Sequence, residues 1–206
     1  MHQTRQETTT KLPIPRKGTK YVARAASNPS LSIPVVIAIR NLLGLAKTAK
    51  EVKKMIIQKL LKINGKHVED MHESICLFDV FEAGKTYTLT LSSTKKFIFE
   101  ETPKKSERLC KVVNKRLVKD NKIQLNLHDG SNILADNKIK IGDSLYLDFS
   151  GKIKKHISPE KGKEAFVISG KYAGINGKIE HVQDEKVLIK FKEGKSLLAI
   201  SQVIVL

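Results

Sequence analysis

From Gly84 to the C-terminus the chain is a succession of short period-two segments broken by turn residues, and this restricts the stretch to β structure. Tyr87, Leu89 and Leu91 alternate with Thr86, Thr88 and Thr90, and Phe97 and Phe99 alternate with Lys96 and Ile98. A further pair of strands is expected over Arg108–Lys119 and Lys122–Leu127, joined by the two-residue turn Asp120-Asn121. His128-Asp129-Gly130, Gly142-Asp143 and Gly151 punctuate the chain beyond Leu127, so residues 86–160 are expected to form a twisted small barrel or sandwich. A last β module is expected over residues 161–206, with strands at Ala165–Ser169, Gly177–His181, Lys186–Lys192 and Ile200–Val205 and a Glu193-Gly194 turn. Modules this small bury little surface alone, so they must pack on one another or on a large partner.

Ahead of Gly84 the apolar period is helical. Ser32 is placed to cap, Pro34 suits a first turn, and Val36, Ile39 and Leu43 follow at spacings of three and four before Gly44. A second helix starts at the Thr48-x-x-Glu51 capping box, ahead of Val52, Met55 and Ile56. Lys47, Lys50, Lys54 and Gln58 fall together on its polar side, and Glu51 is the only acidic residue between Lys47 and Lys66. Leu61-Lys62-Ile63 then runs into Asn64-Gly65, a strong hairpin signal that brings Lys66 beside the lysine face. Residues 69–82 reverse the trend: Glu69, Asp70, Glu73, Asp79 and Glu82 meet no Lys or Arg in that window, which is expected to be a surface turned away from any anionic partner. Their spacing is not that of a calcium loop.

Charge narrows the partner. With 38 Lys plus Arg against 21 Asp plus Glu, the formal net charge is +17, far beyond what solubility needs, and the chain must attract a polyanion. An anionic membrane is the weaker choice, because the most apolar stretch, 33–46, contains Pro34, Arg40 and Asn41 and is too short to span a bilayer. The first fifteen residues lack the apolar core of a signal peptide. Aromatic residues make up 5 % and Trp is absent, so stacking on single strands is poorly served. Lys outnumbers Arg 32 to 6, and a point charge suits backbone neutralisation better than base reading. Together these favour shape and phosphate recognition of folded RNA.

Residues 1–30 carry Arg5, Lys11, Arg16, Lys17, Lys20 and Arg24 against Glu7, with Pro13, Pro15, Pro29 and a threonine run. Helix and strand are both disfavoured there, and a basic arm that orders only on its partner is expected. Catalytic signatures are missing: there is no HExxH, no GxSxG, and Gly170 to Lys178 lacks the Walker spacing. His128-Asp129 precedes Gly130 between two strands, where a turn or an RNA contact is expected, not acid–base chemistry. Cys76 and Cys110 stand 34 residues apart without a CxxC, as two buried reduced thiols would.

These residues carry a family resemblance. The segment 33–80, with Arg40, Leu42-Leu43-Gly44, the lysine-rich helix and Ile63-Asn64-Gly65-Lys66, resembles the S-four RNA-binding domain. Leu109-Cys110-Lys111-Val112-Val113 and the run from Lys122 to Leu134 resemble the central domain of the e-type S-four family of archaeal and eukaryotic small-subunit ribosomal proteins. Ile14-Pro15-Arg16-Lys17 and Ser32-Ile33-Pro34 are similar to that family's start, and Phe166 to Ile179 is similar to a KOW motif. Asn41 stands where the family usually has Asp, and Gln58-Lys59 replaces a turn glycine.

The resemblance implies an α+β chain: an arm (1–30), a small two-helix-plus-strands RNA-binding domain (31–85), a central β domain (86–160) and a Src-homology-3-like KOW barrel (161–206). It implies RNA contacts from Arg5, Arg16, Lys17, Lys20 and Arg24 in the arm, and from Arg40, Lys47, Lys50, Lys54, Asn64, Gly65 and Lys66 in the first domain. Lys111, Lys115, Arg116 and His128 are the expected contacts of the central domain, and Lys171, Tyr172, Gly174 and Lys178 those of the last. The implied partners are small-subunit rRNA and neighbouring ribosomal proteins in the cytoplasmic ribosome, with no enzyme activity, cofactor, metal, membrane or small-molecule substrate. Two other readings stay open: an RNA-modifying enzyme that uses the same modules as anchors, and a KOW-bearing transcription or translation factor.

Overall fold

Strand pairing organises almost every element of the chain. A computed structural model describes residues 2–103, 106–118, 122–135, 138–183, 185–192 and 194–206. The chain forms two units, Met1–Leu91 with Lys95–Arg108, and Ser92–Thr94 with Leu109–Leu206. Among the described residues strands far outnumber helices.

In the first unit, β1 (His2–Thr4) and β2 (Tyr21–Ala23) pair antiparallel, with Gln3 opposite Val22. This corrects the expectation of an arm without strands. Leu12, Val22 and Ala25 are buried, and the Phe97 amide donates to the Lys11 carbonyl. Three apolar anchors at irregular spacing leave no periodic signal, yet they tie the segment to the unit.

Then come β3 (Ser32–Pro34), α1 (Val35–Ile37) running into a π turn (Ala38–Leu42), and α2 (Ala49–Ile57). Ser32 does not cap the first helix. Its Oγ donates to the Ser27 and Asn28 carbonyls at 2.7 and 2.8 Å, and the chain stays extended through Pro34. The reason is non-local, because β3 is held by a distant strand. That strand is β6 (Ser74–Cys76), which follows β4 (Leu61–Ile63) and β5 (Lys66–His67). After it come β7 (Val80–Ala83), β8 (Lys85–Leu91) and β9 (Phe97–Glu101). Strands β5-β4-β7-β8-β9 form one antiparallel sheet in that order. Residues 85–101, which the sequence pattern groups with the later β segments, therefore belong to the first sheet. Gly84, at φ +77°, is the tight turn of the β7–β8 hairpin and not a boundary. Ile33, Ile37, Leu61, Leu77, Phe81, Leu89 and Phe97 are fully buried and make the core.

The second unit holds two more sheets. The first consists of β10 (Glu107–Leu117), β11 (Ile123–Leu127), β12 (Asn132–Ala135), β13 (Ser144–Asp148) and β14 (Ile153–Ile157), ordered β12-β11-β10-β13-β14. Cys110, Val112, Leu125, Leu127, Leu145 and Leu147 pack on one face of it. Lys111 lies off that packed face by alternation between Cys110 and Val112, and a bulge between Val112 and Asn114 shifts the register so that Asn114 leaves it too. The second sheet consists of β15 (Glu164–Val167), β16 (Asn176–Gln183), β17 (Lys186–Phe191), β18 (Gly194–Ala199) and β19 (Val203–Val205), ordered β18-β17-β16-β15-β19. Its core of Ala165, Val167, Ile179, Ile189, Val203 and Val205 also takes Tyr146 and Ile157 from the first sheet. The pattern predicts one terminal strand over 200–205; the structure instead has β18, a 3-10 turn (Ile200–Gln202) and β19. The expected turns at Asp120-Asn121 and Glu193 lie outside the described residues, as does Lys119. Both cysteines are free and buried.

Candidate nucleic-acid interface

Helix α2 starts where its capping box puts it. Thr48 accepts from the Glu51 amide at 3.3 Å, and the Glu51 carboxylate accepts from the amides of Lys47 and Thr48 at 2.7 and 3.4 Å. Val52 and Ile56 are buried, which leaves Lys47, Lys50, Lys53 and Lys54 exposed. The backbone amide of Lys47, followed by Thr48, holds the Glu51 carboxyl below the usual carboxylate range. The only acid of this stretch is thus turned to the helix start, where it stays ionised, and four exposed lysines outnumber it.

Next to the helix in sequence, Asn64 and Gly65 have φ of +49° and +78°, the conformation a tight β4–β5 hairpin requires. Asn64 is not free to meet RNA with its side chain. Its Nδ2 donates to Asp79 Oδ1 at 2.8 Å, its Oδ1 accepts from the Val80 amide at 3.0 Å, and only Gly65 and Lys66 are exposed at the tip. Asp79, which the sequence pattern groups with a solvated acidic surface, is a further correction: it is 4 % exposed, accepts from the Cys76 amide at 2.7 Å, and lies 3.8 Å from Arg108. It is the residue holding the hairpin in place that charge counting misses. A signal for it exists, since Asp79 interrupts the apolar run Leu77-Phe78-Asp79-Val80-Phe81. Glu73, in the same window, accepts from the amides of Glu69 and Asp70 and closes a local turn.

In the N-terminal segment Arg5 is committed to the fold. Its guanidinium donates to the Pro15 and Thr19 carbonyls and to Thr19 Oγ1 at 2.6, 2.7 and 3.0 Å, closing the turn that carries Arg16, Lys17 and Lys20. Those three and Arg24 are exposed. An open cleft brings Arg5, Lys17 and Arg40 together with Asn41 and the first residue of α2, Ala49, and no acidic residue lines it. The cleft therefore unites the N-terminal segment with the helical part of the first unit.

The second unit divides its candidates. Lys111 is 3 % exposed and its Nζ donates to the Ile200 and Val203 carbonyls; His128 is buried and its Nδ1 accepts from the Lys111 amide at 3.1 Å. Neither is open to an RNA, which corrects both expectations: each lies on a strand or strand end where a neighbouring layer covers it. Lys115 is half-buried, with Nζ 3.0 Å from the Ile139 carbonyl, whereas Arg116 is exposed. Tyr172 stacks on Phe191 with centroids 4.7 Å apart, and Lys171 stands 5.6 Å from the Tyr172 ring. Gly174 lies in the turn before β16, and Lys178 is exposed opposite Lys190.

Replacing Lys50, Lys54 and Lys66 together by Ala should weaken binding to duplex RNA and flatten the logarithmic salt slope by about 0.7–0.9 per lost phosphate contact. Stability should stay within about 0.5 kcal/mol per exposed site. An unchanged slope measured by titration between roughly 50 and 200 mM salt, a range that brackets the physiological value, would remove this face from the interface.

The comparisons with known proteins agree on one relationship. The family model described as "Ribosomal family S4e" matches residues 83–153, and that of the KOW motif matches 161–190. The chain is 31 % identical to small ribosomal subunit protein eS4 of Methanospirillum hungatei over 94 % of its own length and 88 % of that protein. It is 32 % identical to the eS4 of Methanocella arvoryzae over 83 % of its length and 76 % of that protein. The crystal structure of the 30S ribosomal protein S4e from Thermoplasma acidophilum superposes with a TM-score of 0.74 at 26 % identity, over 85 % of this chain and 95 % of that one.

Proposed function

The chain belongs to the S4e family of ribosomal proteins, and we infer that it serves the small ribosomal subunit as a structural constituent, not as an enzyme, by holding folded rRNA on its basic faces. The observation that carries this reading is the exposed lysine face of α2 together with the basic cleft at Arg5, Lys17 and Arg40. Glu51, the one acid among the lysines of α2, is tied to the helix start by the Lys47 amide, and the cleft at Arg5, Lys17 and Arg40 is lined by no carboxylate. Such a surface neutralises phosphates and gains affinity from released counterions, without reading sequence. Residues Lys47, Lys50, Lys54, Gly65 and Lys66 form its outer edge, and Arg16, Lys17, Lys20 and Arg24 extend it along the N-terminal segment.

In the second unit, the KOW-matching part acts as a Src-homology-3-like barrel that offers Lys171, Tyr172, Gly174 and Lys178 to rRNA and to neighbouring ribosomal proteins. Arg116 supplements it from the central sheet. No described helix is long and apolar enough to cross a membrane, and the place of action is the cytoplasmic ribosome. The test is co-sedimentation. Tagged protein should travel with small subunits through a high-salt sucrose gradient. Complete release into the soluble fraction would favour a factor that visits RNA without residing on the ribosome.

A further inference from the structure

We propose that the outer face of β10-β11-β12 is a reading surface for the minor groove of double-helical RNA, made of amide side chains that engage ribose 2′-hydroxyls. The proposal rests on the rRNA-binding reading above and names a surface that the basic residues do not supply.

Strand register places the residues. Asn114 pairs with Asn126 and Asn126 with Asn132, so three asparagines stand in one row across three strands. In the next row Arg116 pairs with Gln124 and Gln124 with Leu134. The inward row between them is Lys115, Leu125 and Ile133, and Leu125 and Ile133 belong to the packed core. All six outward side chains are exposed or half-exposed, and none carries a negative charge.

Asparagine is depleted from strands because it packs poorly on a pleated surface and prefers turns. Thr, Lys or Tyr would make a better open sheet face. Four amides and one arginine in six positions therefore work against the sheet, and a ligand compensates such a choice. Gln124 Nε2 donates to Asn126 Oδ1 at 3.2 Å, which orients two of the amides along the face.

The chemistry selects the ligand. Each amide offers both donors and acceptors, which matches a 2′-hydroxyl that donates and accepts. A-form RNA presents these hydroxyls in a wide, shallow minor groove, and three strands about 4.8 Å apart give a face roughly 10 Å across to lie in it. Arg116 at the edge of the face has the reach and fork for a flanking phosphate. A protein partner is the less fitting occupant, since interface hot spots are built from buried aromatic and arginine anchors, the face carries no aromatic side chain, and Leu134 is the only large apolar residue among its six positions, with Val113 exposed beside them.

The experiment compares the intact chain on one duplex sequence in three forms: RNA, DNA, and RNA methylated at every 2′-oxygen of one strand. The triple variant Asn114→Thr/Asn126→Thr/Asn132→Thr, which keeps strand-compatible residues, is measured beside it. The wild type should bind RNA about tenfold more tightly than either the DNA or the methylated duplex. The variant should bind all three alike, with the wild-type salt slope. Equal RNA preference in variant and wild type overturns the proposal, and so does indifference of the wild type to methylation, a result that needs no variant to fold. Absence of any duplex binding by the wild type would instead overturn the rRNA-binding reading beneath it. A variant with full RNA preference that fails to enter small subunits would reassign the face to a neighbouring protein.

Discussion

Replacing Asp79 by alanine should destabilise the first unit by about 3–5 kcal/mol, the range seen when one partner of a buried charged pair is removed. The carboxylate does three things at once. It accepts from the Cys76 amide at 2.7 Å, from Asn64 Nδ2 at 2.8 Å, and faces Arg108 at 3.8 Å with a side chain that is 14 % exposed. Alanine strips the acceptor from a buried amide and takes the counter-charge from the guanidinium in one step. The change should also loosen the β4–β5 turn, because Asn64 is held at positive φ by the contacts that Asp79 and Val80 supply. Asp79→Asn, which keeps an acceptor but loses the charge, should recover part of the loss. Chemical denaturation gives the stability, and amide exchange at Gly65 and Lys66 reports the turn. A variant as stable as the wild type would show that the Asp79–Arg108 contact adds nothing to the fold, and that the hairpin is set by its own two residues.

The features legible in the sequence are those that a few neighbouring residues decide. Thr48 and Glu51 specify a helix start by themselves, and Asn64-Gly65 specifies a turn by itself; both appear in the structure as their chemistry dictates. The alternation from Tyr87 to Leu91 marks a strand, and β8 forms there, with Thr88 and Thr90 buried on one face as Leu89 and Leu91 are on the other. The elements that escape a local reading depend on a distant partner. Ser32 looks like a cap until β6 pairs with it from more than 40 residues away, and β1–β2 needs Leu12 and Val22 to find their covering layer.

The candidate site shows the same division, and charge sharpens it. Lysines on the polar side of α2 are exposed because the helix period puts them there. Lys111 and Asp79 suggest, by residue type alone, charge to be solvated, while each sits in an apolar run that calls for burial: Leu109-Cys110-Lys111-Val112 and Phe78-Asp79-Val80; His128, between Leu127 and Asp129, has no such run around it. A charged residue inside such a run is better taken as a bond between layers. The amide row on β10-β11-β12 is hidden for a different reason, since it exists only in the register of three strands and no linear window contains it.

Wild-type protein should become more stable relative to Lys111→Met as pH rises from about 7 to 10, by about 2–3 kcal/mol. Burial pushes the Lys111 ammonium from its usual 10.5 down to about 8, because the side chain lies inside the second unit. Between those two values the unfolded chain holds a proton that the folded chain has released, so the unfolded state binds more protons and stability climbs with pH. A tenfold change in proton affinity is worth about 1.4 kcal/mol. Most of the gap between about 8 and 10.5 has therefore been expressed as stability once the pH reaches about 10. The hydrogen bonds survive the loss of charge. A neutral amine keeps two N–H groups, enough for the Ile200 and Val203 carbonyls that flank the 3-10 turn. Methionine fills the same space but leaves both carbonyls without this donor and has nothing to titrate. Every other lysine is common to the two proteins, so the difference between their unfolding free energies isolates this one. The Lys111 Cε resonance, titrating near 8, is the direct reading. A constant difference across that pH range would mean that Lys111 stays charged in the fold, and that its two carbonyls, not its burial, govern its proton.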